Sequence, residues 1–164
     1  MFVLLLLGGW ELGWRRFGFT PGVEDDWGIW ASQRRLLRDA PGKVALVGAS
    51  RIQLGLEPGR FRAQSGREAV MLAVDGNPPM AVLADLANDP EFTGSVIVGF
   101  VPMLFAEAAV EAGAEDRRVR KWLRNYRRQT WSSRLETDLR IRVQERFVFR
   151  YPGLAPARIW AHLM

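Results

Sequence analysis

Cysteine is absent from the 164 residues, which excludes a disulfide framework and a thiolate metal site. Histidine occurs once, at His162. A His-rich metal centre is therefore excluded, and any mechanism that needs a histidine base has one candidate. No cofactor is expected. A membrane-spanning helix needs roughly 20 apolar residues, and the N-terminal run Met1–Trp10 stops at Glu11 after about half of that. The marks of a signal peptide are missing as well, because Arg15 and Arg16 follow the apolar run instead of preceding it. There is no internal repeat and no low-complexity tract. A composition of 48% hydrophobic and 25% charged residues excludes disorder and fits one globular domain with a core of its own.

Charge is unevenly placed. The net +5 arises from residues 115–150, which carry 12 Lys/Arg against 5 Asp/Glu, whereas the rest of the chain carries 11 against 13. The basicity belongs to one C-terminal segment and is not a field over the whole protein. The apolar N-terminus admits three readings. It is the tail of a transmembrane anchor whose beginning is missing (residues 1–18), or a short interfacial anchor with Trp10 and Trp14 at headgroup depth, or an ordinary buried element. Four leucines before a Trp/Arg boundary favour the first.

Along the chain, Phe17–Val23 contains Gly18, Thr20, Pro21 and Gly22 and reads as a loop. Glu24, Asp25 and Asp26 supply acids for a helix start. Trp27, Trp30, Arg34 and Leu37 follow at helical spacing until Ala40-Pro41-Gly42. A first strand spans Lys43–Ala49, an irregular stretch Ile52–Phe61, and a second strand Ala69–Val74. The periodicity then predicts a helix over 80–87, a third buried strand Ser95–Val101, and a helix over 103–110. Strands separated by such crossovers imply a parallel sheet with helices on both faces. Right-handed crossovers place the first strand between the other two. One or two long helices follow from Glu115 to about Arg150, although the alternation Leu139-Ile141-Val143 also permits a strand.

The segment Lys43–Gly55, K-V-A-L-V-G-A-S-R-I-Q-L-G, carries the chemistry. An apolar run without helical period ends at Gly48-Ala49-Ser50, so a buried strand delivers a serine to the carboxyl edge of a sheet, where ligands bind in open α/β folds. Ser50 is a candidate nucleophile. The turn after the second strand would stand beside it. There Gly76 allows a backbone N–H to approach a substrate, and Asn77 offers a side-chain N–H, as an oxyanion site requires. In the competing reading Ser50 caps a helix that starts at Arg51 and Gly76 makes a turn.

These blocks carry a resemblance. G-A-S-R-I-Q-L-G-L-E-P, then M-L-A-V-D-G-N-P-P, then S-V-I-V-G-F-V-P resemble the first half of the SGNH (GDSL-like) hydrolases, and most of all their bacterial membrane-anchored branch. Residues 11–38 resemble the Trp/Arg preamble of that branch, and the similarity runs over roughly residues 10–150. It implies a three-layer α/β fold with a parallel sheet of flavodoxin-like or SGNH type over residues 19–164, incomplete here and continued by the C-terminal basic helical segment. It also implies a membrane-associated, extracytoplasmic place in the cell envelope and serine esterase or acyltransferase chemistry on acyl-ester substrates such as envelope polysaccharide. Ser50 would be the nucleophile, and the Ser50 and Gly76 N–H groups would hold the oxyanion.

Two departures stand out. The family's Gly-x-Asn donor is Gly99-Phe100-Val101 here, and its Asp-x-x-His is missing, because Ile159 stands three positions before His162. Truncation before the catalytic acid and base is the simplest account, and a degenerate, non-catalytic relative is the next.

Arg117, Arg120, Lys121, Arg124, Arg127 and Arg128 form a basic face at i, i+3, i+4 spacing, with Val119, Trp122, Leu123 and Tyr126 largely opposite. It reads as a solvated helix face, as a contact for a membrane lipid surface, or, with no accompanying motif in support, as a nucleic-acid contact. A non-catalytic membrane-surface or scaffold module using residues 117–128 is thus the alternative to the esterase.

Overall fold

Val44–Val47 is the one stretch of four consecutive apolar residues in the chain's first sheet block that is buried at every position, as a strand covered on both faces must be. A computed structural model describes residues 2–23, 25–39, 42–102 and 116–148. In chain order they form α1 (Phe2–Arg16), α2 (Trp27–Asp39), β1 (Val44–Val47), α3 (Ser50–Gly55), α4 (Pro58–Ser65), β2 (Ala69–Met71), α5 (Met80–Ala87), β3 (Ser95–Val98), α6 (Asp116–Arg127) and α7 (Trp131–Arg146). This is a mixed α/β fold with an open three-stranded parallel sheet of order β2-β1-β3, the order expected from right-handed crossovers. Val44 lies opposite both Ala69 and Ser95. The chain divides into two compact units, Trp30–Gln129 and a second made of Met1–Ile29 with Thr130–Met164. The helix expected over 103–110 lies outside the described residues.

Three expectations change. Ile52–Phe61 is not irregular, because it falls within two short helices, α3 and α4. Pro58, whose fixed φ suits a first helical position, opens α4, and Gly66 at φ +69° ends it with its N–H bonded to Arg62 O. The strand expected over Ser95–Val101 is shorter and only half-buried, since β3 is an edge of the sheet among the described residues. β2 is also short, yet its pairing continues as single hydrogen bonds from Leu72 N to Leu46 O (2.8 Å) and from Val74 N to Gly48 O (3.0 Å).

In the Trp30–Gln129 unit the helical spacing of α2 points Trp30, Arg34 and Leu37 inward, and all three are buried. The Trp30 indole donates to Leu72 O (3.1 Å) and packs against the rings of Trp122 and Tyr126 on α6. Arg34, 1% exposed, is a charge inside the core. Its Nε donates to Asp85 Oδ2 (3.0 Å) and its Nη2 to Asp89 Oδ2 (2.7 Å). Arg127 on α6 donates to the other oxygen of Asp85 (2.7 Å), so α2, α5 and α6 share one ionic cluster. Burial by itself raises the Asp89 carboxyl. The Arg34 hydrogen bond, the Glu91 N–H and the charges of Arg34 and Arg38 outweigh it and hold the carboxyl below its ordinary range. The stability Asp89 adds is therefore full above the ordinary carboxylate value and lost as pH falls through its lowered value.

The other unit is held by polar ties. Glu11 Oε1 accepts from Arg15 Nε (2.7 Å) and from Val148 N (2.9 Å), and Arg15 donates to Arg146 O (2.6 Å). Asp26 accepts from the backbone N–H groups of Gly28 and Ile29 and pairs with Arg140 (2.6 Å). A Cβ on Gly28 would meet the Arg140 guanidinium and lie 3.1 Å from Thr137, so a side chain there would displace the end of Arg140 from its place beside Asp26. Burial raises the Asp26 carboxyl, but these donors and the Arg140 charge bring it below its ordinary range. Between α6 and α7 the helix breaks, and Thr130 caps α7 through Ser133 N (3.3 Å). The strand permitted by Leu139-Ile141-Val143 is thus not formed. Leu135, Leu139, Val143 and Phe147, which recur every four residues in the sequence, are all exposed, with Leu139 at 53%.

Truncating one member of a buried ionic cluster strands the others, at a cost of about 3–5 kcal/mol, whereas an exposed partner costs under about 1 kcal/mol. We therefore expect Arg34→Ala to destabilise the fold severely, and Arg127→Ala, whose side chain is largely exposed, to do so only slightly. Urea unfolding of the two variants checks this.

Candidate functional site at the carboxyl edge of the sheet

β1 ends at Val47, Gly48 and Ala49 turn the chain, and Ser50 is the first residue of α3. The cap position belongs to Ala49, which has extended backbone and no side-chain hydrogen bond. Ile52 N and Gln53 N bond to Ala49 O (3.0 and 3.1 Å). The reading of Ser50 as a helix cap is therefore corrected, since Ser50 sits one residue inside the first turn, half-buried, with no capping role.

Ile52 on α3 fixes that turn. A Cβ on Gly48 would lie 2.7 Å from Ile52 Cγ1, and one on Gly99 would also collide with Ile52. Gly99 N in turn bonds to Val47 O (2.8 Å). The side chain of Ile52 thus packs over the carboxyl ends of β1 and β3, and two glycines make room for it.

The bond from Val74 N to Gly48 O carries the end of β2 alongside that of β1. The sheet thereby brings Ser50 and the turn Asp75-Gly76-Asn77 to one edge, as the strand order predicts. Gly76 is exposed and has φ +64°, a left-handed conformation that glycine adopts without strain. Asn77 is buried at 3% exposure. Its N–H closes the turn onto Val74 O (3.2 Å) and its Nδ2 donates to Asp75 O (2.7 Å). The Asn77 Oδ1 is buried without a hydrogen-bond partner. One N–H of the Asn77 amide is thus committed to its own loop.

Sequence reasoning missed Arg118. It stands outside the basic face read from α6, yet its Nη2 donates to Asp75 O across 43 positions and lies 3.9 Å from where a Gly76 Cβ would be. Its guanidinium lies 5.9 Å from the Trp122 ring centroid. The i, i+4 spacing of Arg118 and Trp122 is legible in the sequence, but the contact with the distant turn is not. Arg118 places a fixed positive charge beside the Gly76 turn, where a developing oxyanion would gain from it.

Arg117, Arg120, Lys121, Arg124, Arg127 and Arg128 are all exposed, while Val119, Leu123 and Tyr126 are buried, so the two faces read from the spacing are separate. Arg127 is partly neutralised by Asp85. His162 lies outside the described residues. Among the described residues no group of acidic or histidine side chains is placed to hold a metal ion, and no helix is long and apolar enough to cross a membrane. No family model, curated protein or solved structure matches the chain.

Because Ser50 caps nothing, Ser50→Ala is expected to change stability by less than about 0.5 kcal/mol, where loss of a cap would cost about 1 kcal/mol. Gly48→Ala is expected to cost about 1–3 kcal/mol through collision with Ile52, and much less in an Ile52→Ala background. Chemical denaturation of the three single variants and the double variant checks both.

Proposed function

We propose that this chain carries the nucleophile-bearing part of an SGNH-type serine esterase or acyltransferase, a three-layer α/β domain to which the three-stranded sheet belongs. One observation carries the reading. Ser50 stands at the carboxyl end of the central strand, in a turn forced by two glycines and Ile52, without the capping role that would otherwise account for it.

In the proposed reaction Ser50 Oγ attacks the acyl carbon of an ester and gives up its proton to a base. The Ser50 and Gly76 N–H groups, with the second N–H of the Asn77 amide, hold the oxyanion. Arg118 adds charge stabilisation behind the Gly76 turn. Collapse of the intermediate expels the alcohol with a proton, and water or an acceptor hydroxyl then removes the acyl group. The base is not among the residues placed at this edge.

The proposed setting is the extracytoplasmic face of a membrane, with acyl groups of the cell envelope as substrate. It is supported by the N-terminal Trp/Arg boundary and by the exposure of Leu5, Leu6 and Leu12 on α1, which suits an interfacial contact. A second reading, a non-catalytic module that meets an anionic membrane surface, is favoured by the six exposed cations of α6 and its flank.

Intact mass after incubation with a fluorophosphonate tests the first reading. We expect one adduct, mapped to Ser50, and none in Ser50→Ala. An unlabelled wild-type chain, or labelling that survives Ser50→Ala, would contradict it.

A further inference from the structure

The turn that carries Gly76 has two backbone states, and the chain holds one of them. Asn77 N closes the turn onto Val74 O at 3.2 Å, with Asp75 and Gly76 at its two central positions. Gly76 has φ +64°, and Asp75, like every other described non-glycine residue, has no positive φ. That is the pattern of a type II turn. A type I turn over the same four residues differs by a flip of the central peptide, the unit that joins Asp75 C=O to Gly76 N–H. In a trans peptide these two groups point in opposite directions, and no cis bond occurs among the described residues. The flip therefore reverses the direction of the Gly76 N–H.

Two side chains act on that peptide. Asn77 Nδ2 donates to Asp75 O at 2.7 Å, and Arg118 Nη2 donates to the same oxygen from α6. A carbonyl oxygen has two lone pairs, so the pair of donors fills it, and a flip of the peptide would break both bonds. The Arg118 guanidinium is itself steadied 5.9 Å from the Trp122 ring centroid, one helical turn further on. At the other end of the unit Gly76 is exposed, and no hydrogen bond engages its N–H among the described residues. Hydrogen bonds on a carbonyl also polarise the amide behind it, which makes that N–H a stronger donor.

We infer that Arg118 is a positioning residue for the Gly76 oxyanion donor, because through Asp75 O it holds the central peptide in the one orientation that presents the Gly76 N–H at the serine edge. The inference rests on the esterase reading of Ser50 and goes beyond the charge that Arg118 adds there. A charge acts across space on the oxyanion whatever the turn does. This role runs through one peptide and ends when that peptide flips.

Two readouts on the full chain test it. The first is the nuclear Overhauser signal between Asp75 Hα and the Gly76 N–H, which reports the turn with or without activity. It is strong in a type II turn, where an Asp75 ψ of about +120° brings the two hydrogens together, and weak after the flip. Arg118→Ala should weaken it. Arg124→Ala, which removes an equal charge from the exposed face of α6, should leave it unchanged. The second readout is the rate of Ser50 labelling by a fluorophosphonate. Arg118→Ala should slow labelling about tenfold, against on the order of a hundredfold for outright loss of an oxyanion donor. Gly76→Ala, which strains the left-handed state, should slow it as well, and adding Arg118→Ala to that variant should cost less than about twofold more. An unchanged Overhauser signal in Arg118→Ala, labelling of that variant at the wild-type rate, or a full tenfold loss on top of Gly76→Ala overturns the inference. An unlabelled wild-type chain instead sinks the serine reading and the oxyanion role with it, while a weakened signal in Arg118→Ala would still show that Arg118 holds the turn.

Discussion

Placing the Arg34 guanidinium in the core constrains the rest of the sheet unit. A buried cation is tolerated only when its hydrogen-bonding groups meet opposite charge. Asp85 and Asp89, four residues apart at the end of α5, supply it from one side. Tyr126 adds a ring face 5.7 Å away. Asp85 in turn recruits Arg127, and Trp30, one turn before Arg34, reaches Leu72 O at the end of β2. Through Arg34 Nε and Nη2 this one side chain ties α2 to the end of α5, and Asp85 extends the tie to α6, while Arg34 Nη1 is buried without a hydrogen-bond partner among the described residues.

Much of this was legible from residues. The strand order, the inward face of α2, the span of α5 and the separation of α6 into an arginine face and a Val119/Leu123/Tyr126 face all follow from periodicity and crossover handedness. These are local or pairwise rules, and they succeed where the pattern is strong. α3 follows only from the competing reading that starts a helix at Arg51, and α4 is missed because Pro58 and Gly59 read as breakers, whereas Pro58 is favourable at a first helical turn and Gly66 supplies the cap. The half-exposed β3 was read as buried because an apolar strand looks the same at an edge as at the centre.

The stripe from Leu135 to Phe147 shows the limit of spacing arguments. A repeat of four residues advances about 40° per step on a helix of 3.6 residues per turn, so these positions share one flank of α7, and the fold turns that flank outward. The buried positions of α7 are polar instead, Thr137 and Gln144, with Arg140 paired to Asp26. Glu11, Asp26 and Arg140 tie their unit together across more than a hundred residues, a separation that no window of sequence reveals. Arg118 escaped notice for the same reason.

At the carboxyl edge of the sheet the sequence identified Ser50, Gly76 and Asn77 and left the role of the serine open between nucleophile and cap. The turn geometry removes the cap, because Ala49 occupies that position and Ser50 lies within α3. What remains is a serine delivered by a buried strand to the sheet edge that also carries the Gly76 turn and its Arg118 contact, and the proposed reading is that this hydroxyl is reactive. The most direct test is peptide mapping of the full chain after acid quench of a reaction with p-nitrophenyl acetate. One acetyl group on Ser50, absent from Ser50→Ala, is the predicted result. No acylation of Ser50 while other hydroxyls or lysines react would contradict it.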